Sequence, residues 1–487
     1  MSNQDEKQSV PSYLACAKPN PAENRAPWYK NIAPTYAGVF LWFVFWSGAA
    51  SSGAGDAPGG IFSQGWLIPL LGVALGGLIC YVLFYHVFGR FGQRTGLPLY
   101  IVGASTFGAT GGLIMPGFLM GLLQFGWIAV NCAGAAAALN VWLKLDPSSV
   151  GYYAIIIVWG VLSVIMALKG IKYVALISTY LPLIPAAILL YLLFKTVGGL
   201  GSFDASALVA AAGKSTAAAQ PEAAAAPSAF STWAILALLV TYIVGFTATA
   251  GAAGCDFGTN ARHKKDVVWG GLVGVFGAIT LTAGIAVLIV AGFYGTEAGK
   301  AMIASGEVVL DPIKLIGKIM GNESAGGVTA FLLALCAFPS CCFSALIAAT
   351  SIKTTLPKVN PWVSCGIGCA IALILALTGV AAKLPVIFGF FGASFGPICG
   401  AMVAEYLLGK GRWTGPRAGF NPAGWIAWIV GFVIGAEPQL VDWGVLPCAK
   451  IPLSLIWAFF AGAIIYALLY KCQSRILPYP QAENQAE

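Results

Sequence analysis

Stretches of about 20 apolar residues, the length a helix needs to cross the hydrocarbon core of a bilayer, recur along almost the whole chain and restrict what it can fold into. Twelve spans are read at residues 34–54, 65–88, 113–140, 151–169, 171–195, 232–255, 267–293, 327–351, 361–380, 384–408, 422–436 and 451–470. Only helices and closed barrels satisfy their backbone groups inside a membrane, and runs of this length read as helices. With 59% hydrophobic and 9% charged residues in 487, the chain lacks the charge, about 25%, that solvates an ordinary soluble domain. An all-α polytopic membrane protein is expected.

Residues 1–30 are polar and proline-rich, without the apolar centre of a cleavable signal, so the first span is expected to direct insertion. Lysine and arginine concentrate in cytoplasmic loops. Placing the N-terminus inside puts 18 of the 26 there, so both termini are expected on the cytoplasmic side, of a bacterial inner membrane for preference. The net charge of +8 then reads as topology and lipid contact, and nucleic acid is not an expected partner. The twelve cysteines show no repeating ligand or disulfide spacing and mostly sit inside apolar spans, where they read as small buried side chains.

Two connections break the rhythm. Residues 197–231 are rich in Ala, Gly and Ser and read as an external linker; residues 294–326 are more charged and could hold a short surface helix. Five spans precede the linker and five follow it with the opposite starting direction, the pattern of an inverted repeat. The expected layout is a tail over 1–33, a first five-helix repeat over 34–196, the linker, a second repeat over 232–408, two further helices over 409–472, and a tail over 473–487.

The first member of each half supports the repeat. Span one runs SGAASSGAGDAPGG from Ser47 and span six GFTATAGAAGCDFG from Gly245, each ending in Gly close to an acid, Asp56 and Asp256. Glycines, threonines and an acid weaken or tax a membrane helix, and corresponding interrupted helices point to a transporter binding site. Tight helix packing through small residues is the other reading of these glycines.

Span three carries Gln124, Trp127 and Asn131 at intervals of three and four, which places two amides and an indole on one helix face. A flat nitrogen heterocycle suits that face: the indole offers a stacking surface and each amide a donor and an acceptor for ring edges. Hydrogen bonding between helices would use the same residues. In span eight, Ser340, Cys341 and Ser344 lie near one face, and Pro339 removes a backbone donor and frees a carbonyl near Leu335. A dehydrated cation needs such oxygens, and Ser340 is a candidate ligand.

Five collinear stretches resemble the nucleobase–cation symporters of the purine and cytosine permease type. They are GRFGQRTGLPLYIVGASTFGATGG (89–112), GLLQFGWIAVN in span three, FTATAGAAGCDFG in span six, ATSIKTTLPKVNPWVSCGIG (349–368) and FFGASFGPICGAMVAEYLL (390–408). The resemblance implies two inverted five-helix repeats plus two C-terminal helices, the leucine-transporter-like fold. It also implies alternating access driven by sodium or protons, with no cofactor beyond a possible sodium ion. The implied ligand is a cytosine, uracil, purine, hydantoin or allantoin. Trp127 falls on the family's stacking tryptophan, with Gln124 and Asn131 as substrate amides; the second aromatic of the sandwich falls on Phe246 or, one residue on, Thr247. The family's sodium ligands fall on the carbonyls of Ser47, Ala50 and Ala337, the Ser340 hydroxyl and Cys341. Sulfur is a soft ligand for a hard cation, which makes the proton a rival coupling ion, with Asp256 and Glu405 as gating or proton-linked acids.

The expected activity is cation-coupled import of a nucleobase or related heterocycle. An amino-acid or amine symporter of the same fold, or a non-transporting ligand sensor, are the alternatives. No nucleophile with a histidine partner and no metal cluster is legible, so an enzyme is not expected.

Overall fold

The structure, a computed structural model, describes residues 10–30, 42–51, 60–169, 181, 183–219, 230–356 and 358–479. Among them, nine helices are long and apolar enough to cross a membrane, and two shorter apolar ones accompany them. They follow a five-residue helix, α1 (Trp42–Trp46), and in chain order are α2 (Leu67–Thr95), α3 (Ala109–Leu143), α4 (Val150–Lys169), α5 (Leu183–Ser202), α6 (Thr232–Ala252), α7 (Lys264–Gly295), α8 (Glu323–Thr355), α9 (Pro361–Leu377), α10 (Leu384–Leu408), α11 (Pro422–Asp442) and α12 (Ser454–Leu468). α1 runs directly into a wide π-helical turn over Ser47–Ser51. Asp56 and most of the first span lie outside the described residues.

Two groups of helices form. α3 packs on α8 and α9, and α4 on α8 and α9; α2 packs on α6 and α7, with α7 also on α1. The pairs repeat across the two halves: α2 with α6 is answered by α7 with α1, and α3 with α9 by α8 with α4. That exchange is what a pseudo-twofold relation between inverted repeats produces. α10 joins α6 to α11 and α12, which pack on each other.

Several boundaries differ from those read in the sequence. α2 continues to Thr95 and stops at Gly96, whose φ of 66° is left-handed. Its polar end is helical because Arg90 is buried and donates to Gln93 Oε1 at 2.7 Å. α11 extends to Asp442. Glu437, just past the end read at 436, is buried and accepts the Ile451 amide at 2.9 Å. The linker holds a helix over Ala205–Ala219, favoured by its alanines and capped by Asp204, which accepts the Ser206 and Ala207 amides at 2.9 and 3.0 Å. The charged connection after α7 holds two short helices, Glu297–Ala304 and Pro312–Met320.

α6 is also more regular than expected. It runs unbroken through Gly245 and Gly251, and the chain turns only at Ala253 before a short helix over Gly254–Gly258. The glycines serve close approach instead of unwinding: a Cβ at Gly245 would stand 2.7 Å from the Phe388 carbonyl oxygen of α10.

Candidate functional site

Gln124, Trp127 and Asn131 share one buried face of α3. The Trp127 ring meets Phe246 of α6 edge-on, with centroids 4.8 Å apart and planes at 82°. Its Nε1–H donates to Thr249 Oγ1, also on α6, at 3.0 Å. Phe388 of α10 lies over the indole at 5.1 Å with planes only 30° apart, and Phe391 approaches it at 5.4 Å. On the far side Phe246 touches Phe45 of α1 at 4.2 Å. Tyr242 of α6 donates to the Val44 carbonyl at 2.9 Å. α1, α3, α6 and α10 therefore converge on one aromatic cluster between the two helix groups.

Phe388 is 1% exposed and takes the near-parallel position on Trp127 that a flat ligand would take. The cluster fills its own slot, so a ligand stacked on the indole requires Phe388 to move. Gly48 makes room for the neighbouring ring, since a Cβ there would stand 1.7 Å from the Tyr242 ring.

The two amides are underused. Among the described residues, Gln124 Nε2 donates only to the weak acceptor Met120 Sδ, at 3.4 Å. Asn131 Nδ2 donates to the Trp127 carbonyl at 2.9 Å, while its Oδ1 is buried with no hydrogen-bond partner. A buried acceptor left this way costs about 1–3 kcal/mol and marks a place where a further donor belongs. Thr247 faces elsewhere: its hydroxyl pairs with Cys80 of α2 at 2.6 Å and donates to the Ile243 carbonyl. Between the two neighbours on α6, the ring of Phe246 is the one at the indole.

The candidate cation ligands are less gathered. α1 and α8 meet where Trp42 Nε1 donates to the Leu333 carbonyl at 3.4 Å. Ser47 and Ala50 lie on the π-helical turn that follows α1, and Ala337 and Ser340 on α8. Cys341 departs from its expected position: its thiol donates to Ser163 of α4 at 3.1 Å and lies beside Cys132 of α3. It therefore packs within the group formed by α3, α4, α8 and α9.

Asp256 lies past the end of α6, on Gly254–Gly258. Burial pushes its carboxyl up to about 7, partly offset by the Leu99 backbone amide that it accepts. It is absent from the ion pairs among the described residues. Glu405 of α10 is fully buried. One oxygen accepts Ser105 Oγ at 2.8 Å and the Thr106 hydroxyl, and the other accepts Thr414 Oγ1 at 2.6 Å. The same connection between α2 and α3 is laced to the loop after α10 by Trp413 Nε1 to the Val102 carbonyl at 3.0 Å and Asn421 Nδ2 to the Thr106 carbonyl at 2.8 Å.

Phe388, Phe391 and Thr249 are site residues that spacing within one span did not reveal. The Phe-rich start of α10 and the second hydroxyl two residues after Thr247 were the available signals.

The inverted arrangement, with a buried aromatic and amide cluster between two helix groups, is that of a membrane transporter. The sequence profile described as permease for cytosine/purines, uracil, thiamine, allantoin matches residues 21–451, and the chain belongs to that family. Among solved structures it is similar to Mhp1, a nucleobase-cation-symport-1 family transporter, in a closed conformation with bromovinylhydantoin bound. That likeness has a TM-score of 0.63 and 17% identity over 96% of this chain and 97% of the other. The inward-facing conformation of Mhp1 gives a TM-score of 0.65 and 15% identity over 97% of each chain. A Na+-coupled sialic acid symporter in a substrate-bound outward-open state gives 0.58 and 12% identity over 94% and 92%. No curated protein sequence matches the chain. The protein is an integral membrane secondary transporter of the cation-coupled type.

Proposed function

We propose that the protein imports a nucleobase or a related planar nitrogen heterocycle, held between Trp127 and Phe246 with Gln124 and Asn131 reading its edges. The observation that carries this reading is the convergence of the Trp127, Phe246 and Phe388 rings beside an amide with an unpartnered buried oxygen. A flat ring with N–H and C=O edges matches both parts: it stacks where Phe388 now lies and supplies the donor that Asn131 Oδ1 lacks. An amino-acid or amine ligand would call for a charged partner, and the groups around Trp127 are aromatic, hydroxyl and amide.

For the coupling ion the proton is favoured over sodium. Cys341 is soft and its thiol is spent on Ser163. Asp256 and Glu405 are the acids available for gating or proton linkage.

The test is thermal stabilisation of the purified protein by nucleobases, hydantoins and amino acids, each with sodium, potassium or at low pH. A shift for one heterocycle, enhanced by low pH and lost in Trp127→Ala and Trp127→Phe, is expected through linkage. A shift with an amino acid or amine, and with no heterocycle, sinks the proposal; enhancement by sodium alone overturns the choice of ion.

A further inference from the structure

The chain before α1 does not hang free of the bundle. Ala26 donates its amide to the Asn260 carbonyl at 2.8 Å, and Trp28 donates its own to Asp266 Oδ1 at 3.0 Å. These bonds hold Trp28 and Tyr29 against the start of α7, where an open cleft of about 580 Å³ lies between them and Trp269. Beside these three aromatic side chains, its lining includes His263, Lys264 and Lys265.

The charge at the cleft is unbalanced. Lys264 and Lys265 are exposed and make no ion pair among the described residues, and the same holds for Arg262 and Lys30 at its border. The lone acid in the lining, Asp266, already spends both oxygens: Oδ1 accepts the Trp28 amide and Oδ2 the His263 amide at 2.9 Å. Tyr29 and Trp269 stay 61% and 51% exposed, although burying rings of this size is favourable wherever a partner exists.

Position supplies the partner. Lys264 opens the apolar helix α7, so the cleft sits where the hydrocarbon core gives way to the headgroup layer, the level at which Trp and Tyr gather. Basic residues at this level attract anionic lipid headgroups, each Lys or Arg strengthening the attraction severalfold. We propose that this cleft binds one anionic phospholipid, its phosphate between Lys264 and Lys265 and the upper acyl chain against Trp28 and Trp269. The lipid fastens the segment before α1 to the start of α7.

The experiment is native mass spectrometry of the full chain released from detergent with phosphatidylglycerol or phosphatidylcholine. Wild-type protein is expected to retain the anionic lipid at least about tenfold better. Lys264→Gln with Lys265→Gln should abolish the preference, whereas Lys353→Gln with Lys358→Gln, the same charge change at the end of α8, should keep it. Trp269→Ala, which leaves the charge intact, should cut retention of phosphatidylglycerol severalfold and still decides the matter if the double lysine variant fails to fold. Equal retention of both lipids, equal loss in both lysine pairs, or an unaffected Trp269→Ala overturns the proposal. Displacement by millimolar inorganic phosphate as effective as by added phosphatidylglycerol would identify a free-anion site and overturn it as well.

Discussion

The orientation of the Trp127 indole depends on one buried hydrogen bond, from Nε1 to Thr249 Oγ1 at 3.0 Å. Thr249 is fully buried and Trp127 is 5% exposed, so water cannot replace the hydroxyl if it is removed. Thr249→Val conserves shape and deletes the acceptor, leaving a buried N–H unsatisfied at a cost of about 1–3 kcal/mol. Only part of that cost falls on the resting protein, because the indole can tilt toward another acceptor and lose its plane. Tilting spoils the stacking face, so the remainder appears as weaker ligand binding, about 5- to 150-fold if the full cost is transferred. Thr249→Ser keeps the hydroxyl and should bind within a few-fold of wild type. Equilibrium binding of the heterocycle identified by thermal stabilisation, measured on the three proteins, checks the argument. Wild-type affinity in Thr249→Val would refute the view that α6 sets the plane of the indole, and equal loss in Thr249→Ser would show that bulk, not the hydroxyl, is what matters.

Gly245→Ala would put a Cβ 2.7 Å from the Phe388 carbonyl oxygen and force α6 and α10 apart; a cysteine-accessibility assay at the Trp127 cluster should then show it open more of the time. Asp256 has a carboxyl raised from 3.8 to about 7, so its protonated form is favoured by the fold. The stability linked to it is present below about pH 4 and is lost as pH rises through 7, by at most about 4 kcal/mol; thermal unfolding of Asp256→Asn between pH 5 and 8 should be flatter than that of wild type. Glu405→Ala strips the acceptor from the Ser105, Thr106 and Thr414 hydroxyls and should cost about 1–3 kcal/mol for each hydroxyl left buried without a partner, whereas Glu405→Gln, which keeps an acceptor, should lose less; equal unfolding temperatures for the two would count against a clamp built on those hydroxyls.

The sequence by itself determined the environment, the helical class and the existence of two halves. Inside a bilayer the backbone has no alternative partner, so apolar run length translates into helices with little interference from packing. The α3 face was legible for a similar local reason, because intervals of three and four place Gln124, Trp127 and Asn131 together whatever the rest of the chain does. Where tertiary contacts compete with local chemistry, sequence patterns were less informative. Arg90 and Glu437 lie just past the span ends read at 88 and 436, and the contacts that bury them, to Gln93 and the Ile451 amide, are visible only once the chain is folded. The glycines of α6 looked like a break and are contact points, since a missing Cβ serves equally for unwinding and for close approach. Only the assembled bundle could bring Phe388 across from α10 to cover Trp127, turn Thr247 and Cys341 away from the sites expected of them, and fold the segment before α1 onto the start of α7. Each of those is a contact between residues far apart in the chain, and no periodicity within a single helix encodes it.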